Sequence, residues 1–185
     1  MSSMSFLVST LFDLYIMVVM LRIWLQASRA DFYNPFSQFI VKATQPVVGP
    51  LRRVIPSIGS FDVATILFAY VLCVVKFVAL VMISSGGSFA FSTDFLFLGL
   101  LSLLKAAGGL LFWVLLIRAI LSWVSQGRSP IEFVFHQLTE PMLAPIRRIL
   151  PAMGGFDLSV LVLFIGLQFA NFLMGDLIGP VWHQL

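Results

Sequence analysis

Four ionisable side chains, Asp13, Lys76, Lys105 and Asp176, lie inside long apolar stretches of the chain. Charges in such stretches mark either an ion or proton pathway or mutually neutralising pairs. Measured at 1.5 Å per helical residue from the basic end of each stretch, Asp13 lies at about 18 Å and Lys76 at about 20 Å. Lys105 and Asp176 fall at about 28 and 27 Å on the same count. The matched depths predict two intramembrane pairs, Asp13 with Lys76 and Lys105 with Asp176. Pairing is the usual way to keep such charges away from water, so neutralisation is expected ahead of an open ion path.

Other chemistry finds little support. The two histidines, His136 and His183, fall on opposite sides of the expected membrane and cannot share one haem iron, and there is no C-x-x-C-H. His136 reads as an interface residue on the polar side of its helix. Serines are plentiful, but none sits in a G-x-S-x-G elbow or near a suitably spaced base. The glycines of Ser84-Ser-Gly-Gly-Ser88 precede no phosphate-binding lysine. Cys73, the single cysteine, excludes an intramolecular disulfide and a cysteine-rich metal site, and reads as a small core residue. No enzymatic activity, cofactor or metal is expected.

The elements that carry these residues are membrane spans. The 185 residues are 60% hydrophobic and 10% charged, with mean hydropathy +1.04, whereas soluble chains carry about 25% charged residues. Four stretches reach the roughly 20 residues that a bilayer core requires: Ser5–Leu25, Val63–Ile83, Phe95–Val124 and Leu158–Trp182. The third is overlong and must tilt or project, and Gly108-Gly109 offers it a place to bend. Met1 to Ser5 carries no basic residue before the first stretch, so a span retained as an anchor is expected rather than a cleaved leader.

Basic residues set the orientation. Arg29, Lys42, Arg52 and Arg53 lie between the first two spans, and Arg128, Arg147 and Arg148 between the last two. The termini and the central loop Ser84–Asp94 hold none. Positive loops remain cytoplasmic, which predicts both termini on the periplasmic side. Arg22 and Arg118 lie nearer the cytoplasmic ends of their spans. The basic pI then reflects topology, and direct nucleic-acid binding is not expected.

Both basic loops contain the same phrase. Thr44–Asp62 reads TQPVVGPLRRVIPSIGSFD and Thr139–Asp157 reads TEPMLAPIRRILPAMGGFD, with nine identical positions. They are Thr44/Thr139, Pro46/Pro141, Pro50/Pro145, Arg52/Arg147, Arg53/Arg148, Pro56/Pro151, Gly59/Gly154, Phe61/Phe156 and Asp62/Asp157. Each copy follows an amphipathic helix, one begun by Asn34-Pro35 and carrying Phe36, Phe39, Ile40 and Ala43, the other begun by Ser129-Pro130 with Glu132. Beside a membrane such helices lie in the interface plane, or re-enter between spans where shielded. Because proline breaks helices from within, Pro50 to Pro56 reads as a single helical turn fenced at both ends. Gly59 and Gly154 suit the turn into the next span. This frame would hold Arg52-Arg53 and Arg147-Arg148 at headgroup level, to recognise anionic phospholipid or an acidic protein partner, or to set topology alone.

The doubled P-x-x-x-P-x-R-R-x-x-P-x-x-G-x-x-D, with Leu21-Arg22-Ile-Trp24 before the first copy and Ile117-Arg118 and Ser122-Trp123 before the second, resembles the YggT family of bacterial inner-membrane proteins, related to the YlmG proteins. Ala27 stands where the second copy has Trp123. The resemblance covers the whole chain and implies a proteobacterial member. Relatives are linked to osmotic tolerance, to division or nucleoid organisation, and to haem attachment, which implies membrane assembly or stress response rather than one reaction. The expected architecture is an all-α membrane protein of four transmembrane helices arranged as two parallel two-span repeats, residues 1–90 and 91–185. Each repeat has an amphipathic Pro/Arg-rich interfacial segment between its spans. The expected function is an interfacial platform in envelope homeostasis. The alternative is a channel or transporter built as a homo-oligomer, for which Gly166-x-x-x-Ala170 and Gly175-x-x-x-Gly179 offer close-packing faces.

Overall fold

The structure, a computed structural model, describes residues 2–58, 62–88, 92–124, 129–150 and 158–185, the side chains of 122 and 123 apart. The described residues form seven helices: α1 Ser3–Ala27, α2 Pro35–Val54, α3 Val63–Ser84, α4 Asp94–Val124, α5 Pro130–Ile149, α6 Leu158–Ile178 and α7 Pro180–Gln184. Four of them, α1, α3, α4 and α6, are long and apolar enough to cross a membrane. At 31 residues, α4 is about 46 Å long against a hydrocarbon core of about 30 Å, so it must tilt or project. It runs unbroken through Gly108-Gly109.

The spans pack in sequence, α1 on α3 and α3 on α4, with α4 also touching α1 and α6. The amphipathic helices fill the basic end, α2 against α1 and α3, and α5 against α4 and α6. One core ties both halves of the chain together: Leu25, Ile40, Leu110, Val114, Val134 and Leu138 are buried in a single cluster. Phe36 of α2 packs on Phe135 of α5, ring centroids 5.4 Å apart. Gln137 on α5 accepts the backbone N–H of Asp31 at 2.9 Å.

Helix starts follow local chemistry. Asn34 caps α2 by accepting from the Ser37 N–H at 2.9 Å, with Pro35 in the first turn. Ser129 and Pro130 open α5 in the same way. The expected fencing by prolines is corrected here. Both α2 and α5 run as continuous helices of 20 residues, straight through Pro46, Pro50, Pro141 and Pro145. Each proline removes one i→i−4 bond, but all four are exposed, so the freed carbonyls lie on the outward side. The inward side is held from outside the helix: Tyr15 Oη donates to the Ala43 carbonyl at 3.3 Å, and Arg22 to that of Val41 at 3.3 Å.

The fourth span is shorter than expected. It ends at Ile178, because Gly179 adopts a positive φ of 82° and Pro180 starts α7 in a new direction. Trp182 therefore belongs to a fold-back, not to the span.

Candidate functional site

The most constrained polar groups gather where α1 meets α2 and where α4 meets α5. Arg22 is only 3% exposed. Its guanidinium donates to Thr44 Oγ1 at 2.6 Å and to Gln45 Oε1 at 2.8 Å. Thr44 spends its own hydroxyl proton on the Ile40 carbonyl at 2.8 Å, which leaves its oxygen lone pairs for the arginine. Arg118 repeats the arrangement on α4 by donating to Thr139 Oγ1. Thr139 donates back to the Phe135 carbonyl at 2.8 Å. Where the first copy has Gln45, the second has Glu140, whose Oε2 lies 3.6 Å from Arg118. Each arginine is thus a clamp between a span and the helix that follows it. The identity of Thr44 and Thr139 carried this signal in the sequence, and so did an arginine in the span before each. The contact itself could not be read without the fold.

The paired arginines of each motif divide in two. Arg52 turns inward, donating through Nε to Asp62 Oδ2 at 3.0 Å and through Nη2 to Gln26 Oε1 at 2.5 Å. Asp62 is 1% exposed and caps α3 by accepting from the Thr65 N–H. Burial works to raise its pKa, but the hydrogen bonds from Arg52 and Thr65 and the Arg52 charge outweigh it and hold the carboxyl below its ordinary value. In the second copy Arg147 donates to both Glu140 oxygens at 3.0 Å, while His136 Nε2 lies 3.3 Å from Glu140 Oε2. Of the four motif arginines, Arg52 and Arg147 are engaged in ion pairs within the chain. Arg53 and Arg148 are exposed and make no ion pair among the described residues. Pro56 is exposed beyond α2. Gly59, Pro151, Gly154 and Asp157 lie outside the described residues.

The intramembrane charges also divide. Lys76 Nζ lies 2.7 Å from Asp13 Oδ1, its side chain buried and that of Asp13 half exposed. The expected pairing of Lys105 with Asp176 is corrected. Lys105 Nζ donates to the Trp182 carbonyl at 2.6 Å and lies over the Trp182 ring. Asp176 is exposed and has no ion pair among the described residues. The depth count assumed an unbroken fourth span, and the turn at Gly179 places a carbonyl where the carboxylate was expected. Among the described residues no group of His, Cys, Asp and Glu could hold a metal ion.

Comparison with known proteins places the chain in a family. The CCB3/YggT family model matches residues 1–83 and 97–178. The chain belongs to the CCB3/YggT family. YggT of Escherichia coli K12 is 52% identical over 185 residues, covering 100% of this chain and 96% of the relative. A Vibrio alginolyticus protein encoded in the proC 3′ region is 84% identical over the full length of both chains. A Haemophilus influenzae protein is 38% identical over 182 residues, 98% of this chain and 96% of its own. The chain is thus a proteobacterial CCB3/YggT protein, and its four apolar helices make it a multi-pass membrane protein. No solved structure matches it.

Proposed function

We propose that the chain is a non-enzymatic inner-membrane protein of two parallel two-span repeats, whose motif helices α2 and α5 lie at the cytoplasmic interface and bind anionic phospholipid. The observation that carries this reading is the division of each arginine pair. One member is engaged in an internal ion pair, and the other, Arg53 or Arg148, is left outward beside an aliphatic side chain, Val54 or Ile149, that is 81% exposed. A cation next to an exposed aliphatic at a helix end matches the boundary between headgroups and acyl chains. On α2 the same outward side carries Phe39, Lys42, Pro46 and Pro50, all exposed, so aromatic, cationic and proline residues share one face.

Each basic residue near an anionic surface contributes about 1 kcal/mol, so Arg53 and Arg148 together supply about 2 kcal/mol. In this reading the Arg22 and Arg118 clamps fix the two helices against their spans, and the exposed arginines read the lipid. A platform of this kind fits a role in envelope homeostasis or the response to osmotic stress, through lipid composition or a protein partner held at the same face. The test is native mass spectrometry of the full chain with phosphatidylglycerol or cardiolipin added. The Arg53→Gln/Arg148→Gln variant should hold fewer anionic lipids than the unaltered chain and the same number of zwitterionic ones. Equal anionic occupancy in the two proteins would refute the proposal.

A further inference from the structure

Between α1, α4 and α6 lies a cavity of about 770 Å³, within the range of about 300–1,000 Å³ typical of small-molecule sites. It follows α4 from Leu104 to Phe112, a length of about 12 Å, and its polarity changes along that length. One end holds Lys105, Trp182 and Asn171; Met20, Trp24 and Met142 line the other.

The polar end presents donors without matching acceptors. Lys105 Nζ gives one hydrogen bond to the Trp182 carbonyl and has two donors left. Asn171 uses its oxygen to accept from Trp182 Nε1 at 2.9 Å, which turns its amide NH₂ into a further donor. Lys105 has no carboxylate partner among the described residues. Of the charges that act on it, Lys76 and Asp13, the carboxylate is already taken by Lys76. An ammonium at this depth is costly without a counter-charge.

We infer that this cavity binds a single-chain anionic amphiphile, with an acidic headgroup on Lys105 and an acyl chain running toward Trp24 and Met142. Charge complementarity selects the head, and the apolar far end selects the tail. The volume suits one chain rather than the two of a diacyl lipid. This site is separate from the arginines at the motif helices and does not depend on their role.

The test uses the full chain in zwitterionic nanodiscs, with Trp113 and Trp123 replaced by Phe so that the cavity indoles Trp24 and Trp182 report. Dibromostearate, a quenching fatty acid, is titrated against its uncharged methyl ester and against dibrominated phosphatidylglycerol. The expected result is saturable quenching by the acid alone. Lys105→Met should weaken it about tenfold or more, the factor for losing one charge-assisted hydrogen bond. Gly108→Leu supplies an independent check if the lysine variant folds poorly. A Cβ at Gly108 meets nothing within 4 Å, so the added side chain fills the cavity while leaving Lys105 in place, and saturation should disappear. Equal quenching by acid and ester, preference for phosphatidylglycerol, or saturation unchanged in Gly108→Leu would each overturn the inference.

Discussion

Arg52 and Asp62 close the first motif: the guanidinium at the end of α2 donates at 3.0 Å to the carboxylate that caps α3. The ion pair links the end of α2 to the start of α3. Because Arg52 faces in, its neighbour Arg53 is left facing out.

This pair should give the protein an acid-sensitive stability. The Asp62 pKa is lowered in the folded state from an ordinary value of 3.8, so the unfolded chain binds more protons in the interval between the two values. The contribution is complete above the ordinary value and is lost as pH falls through the lowered folded one. Thermal denaturation in detergent across acidic pH should show this loss. Asp62→Asn should lower stability at neutral pH and flatten that acid limb, whereas a limb of unchanged slope would show that other carboxylates govern it.

The Arg22 clamp should resist conservative exchange. A lysine cannot reproduce the forked donation to Thr44 and Gln45. Arg22→Lys should therefore destabilise nearly as much as Arg22→Met, by about 1–3 kcal/mol for each buried acceptor left unpaired. Thr44→Val, which removes one acceptor, should cost about 1–3 kcal/mol. Melting temperatures of the three variants in one detergent check the order; a neutral Arg22→Lys would contradict it.

Asp13 and Lys76 should behave as a coupled pair. Either Asp13→Asn or Lys76→Met alone removes one partner of a contact at 2.7 Å and should cost about 3–5 kcal/mol. The double variant should recover part of that loss. A double-mutant cycle on thermal stability provides the measurement, and simple additivity would deny the coupling.

The orientation is read by reporter fusions. A periplasmic reporter placed after Gly87 or after Leu185 should be active, and one after Ser57 silent. The opposite pattern would place the motif helices outside the cytoplasm and remove the basis for their proposed lipid contacts.

Much of this arrangement was legible in the chain itself. Apolar runs located the four spans, and Asn34 and Ser129 with their following prolines located the starts of α2 and α5. Two readings failed where local rules met tertiary structure. Proline's preference for helix ends is local, whereas α2 continues through Pro46 and Pro50 with its inner side packed on α1, where Tyr15 and Arg22 donate to the Ala43 and Val41 carbonyls. Depth counting assumes straight helices, and Gly179 turns the chain before Trp182. The Arg22–Thr44 contact joins residues 22 positions apart, a separation that carries no periodic signature.

The division of labour within each arginine pair is tested most directly by measuring bound anionic lipid and thermal stability together in four single variants. Arg53→Gln and Arg148→Gln should each lower phosphatidylglycerol occupancy in native mass spectra while leaving the melting temperature unchanged. Arg52→Gln and Arg147→Gln should lower the melting temperature and leave the occupancy of the folded fraction intact. Equal lipid loss from all four, or lipid loss confined to Arg52→Gln and Arg147→Gln, would contradict the account.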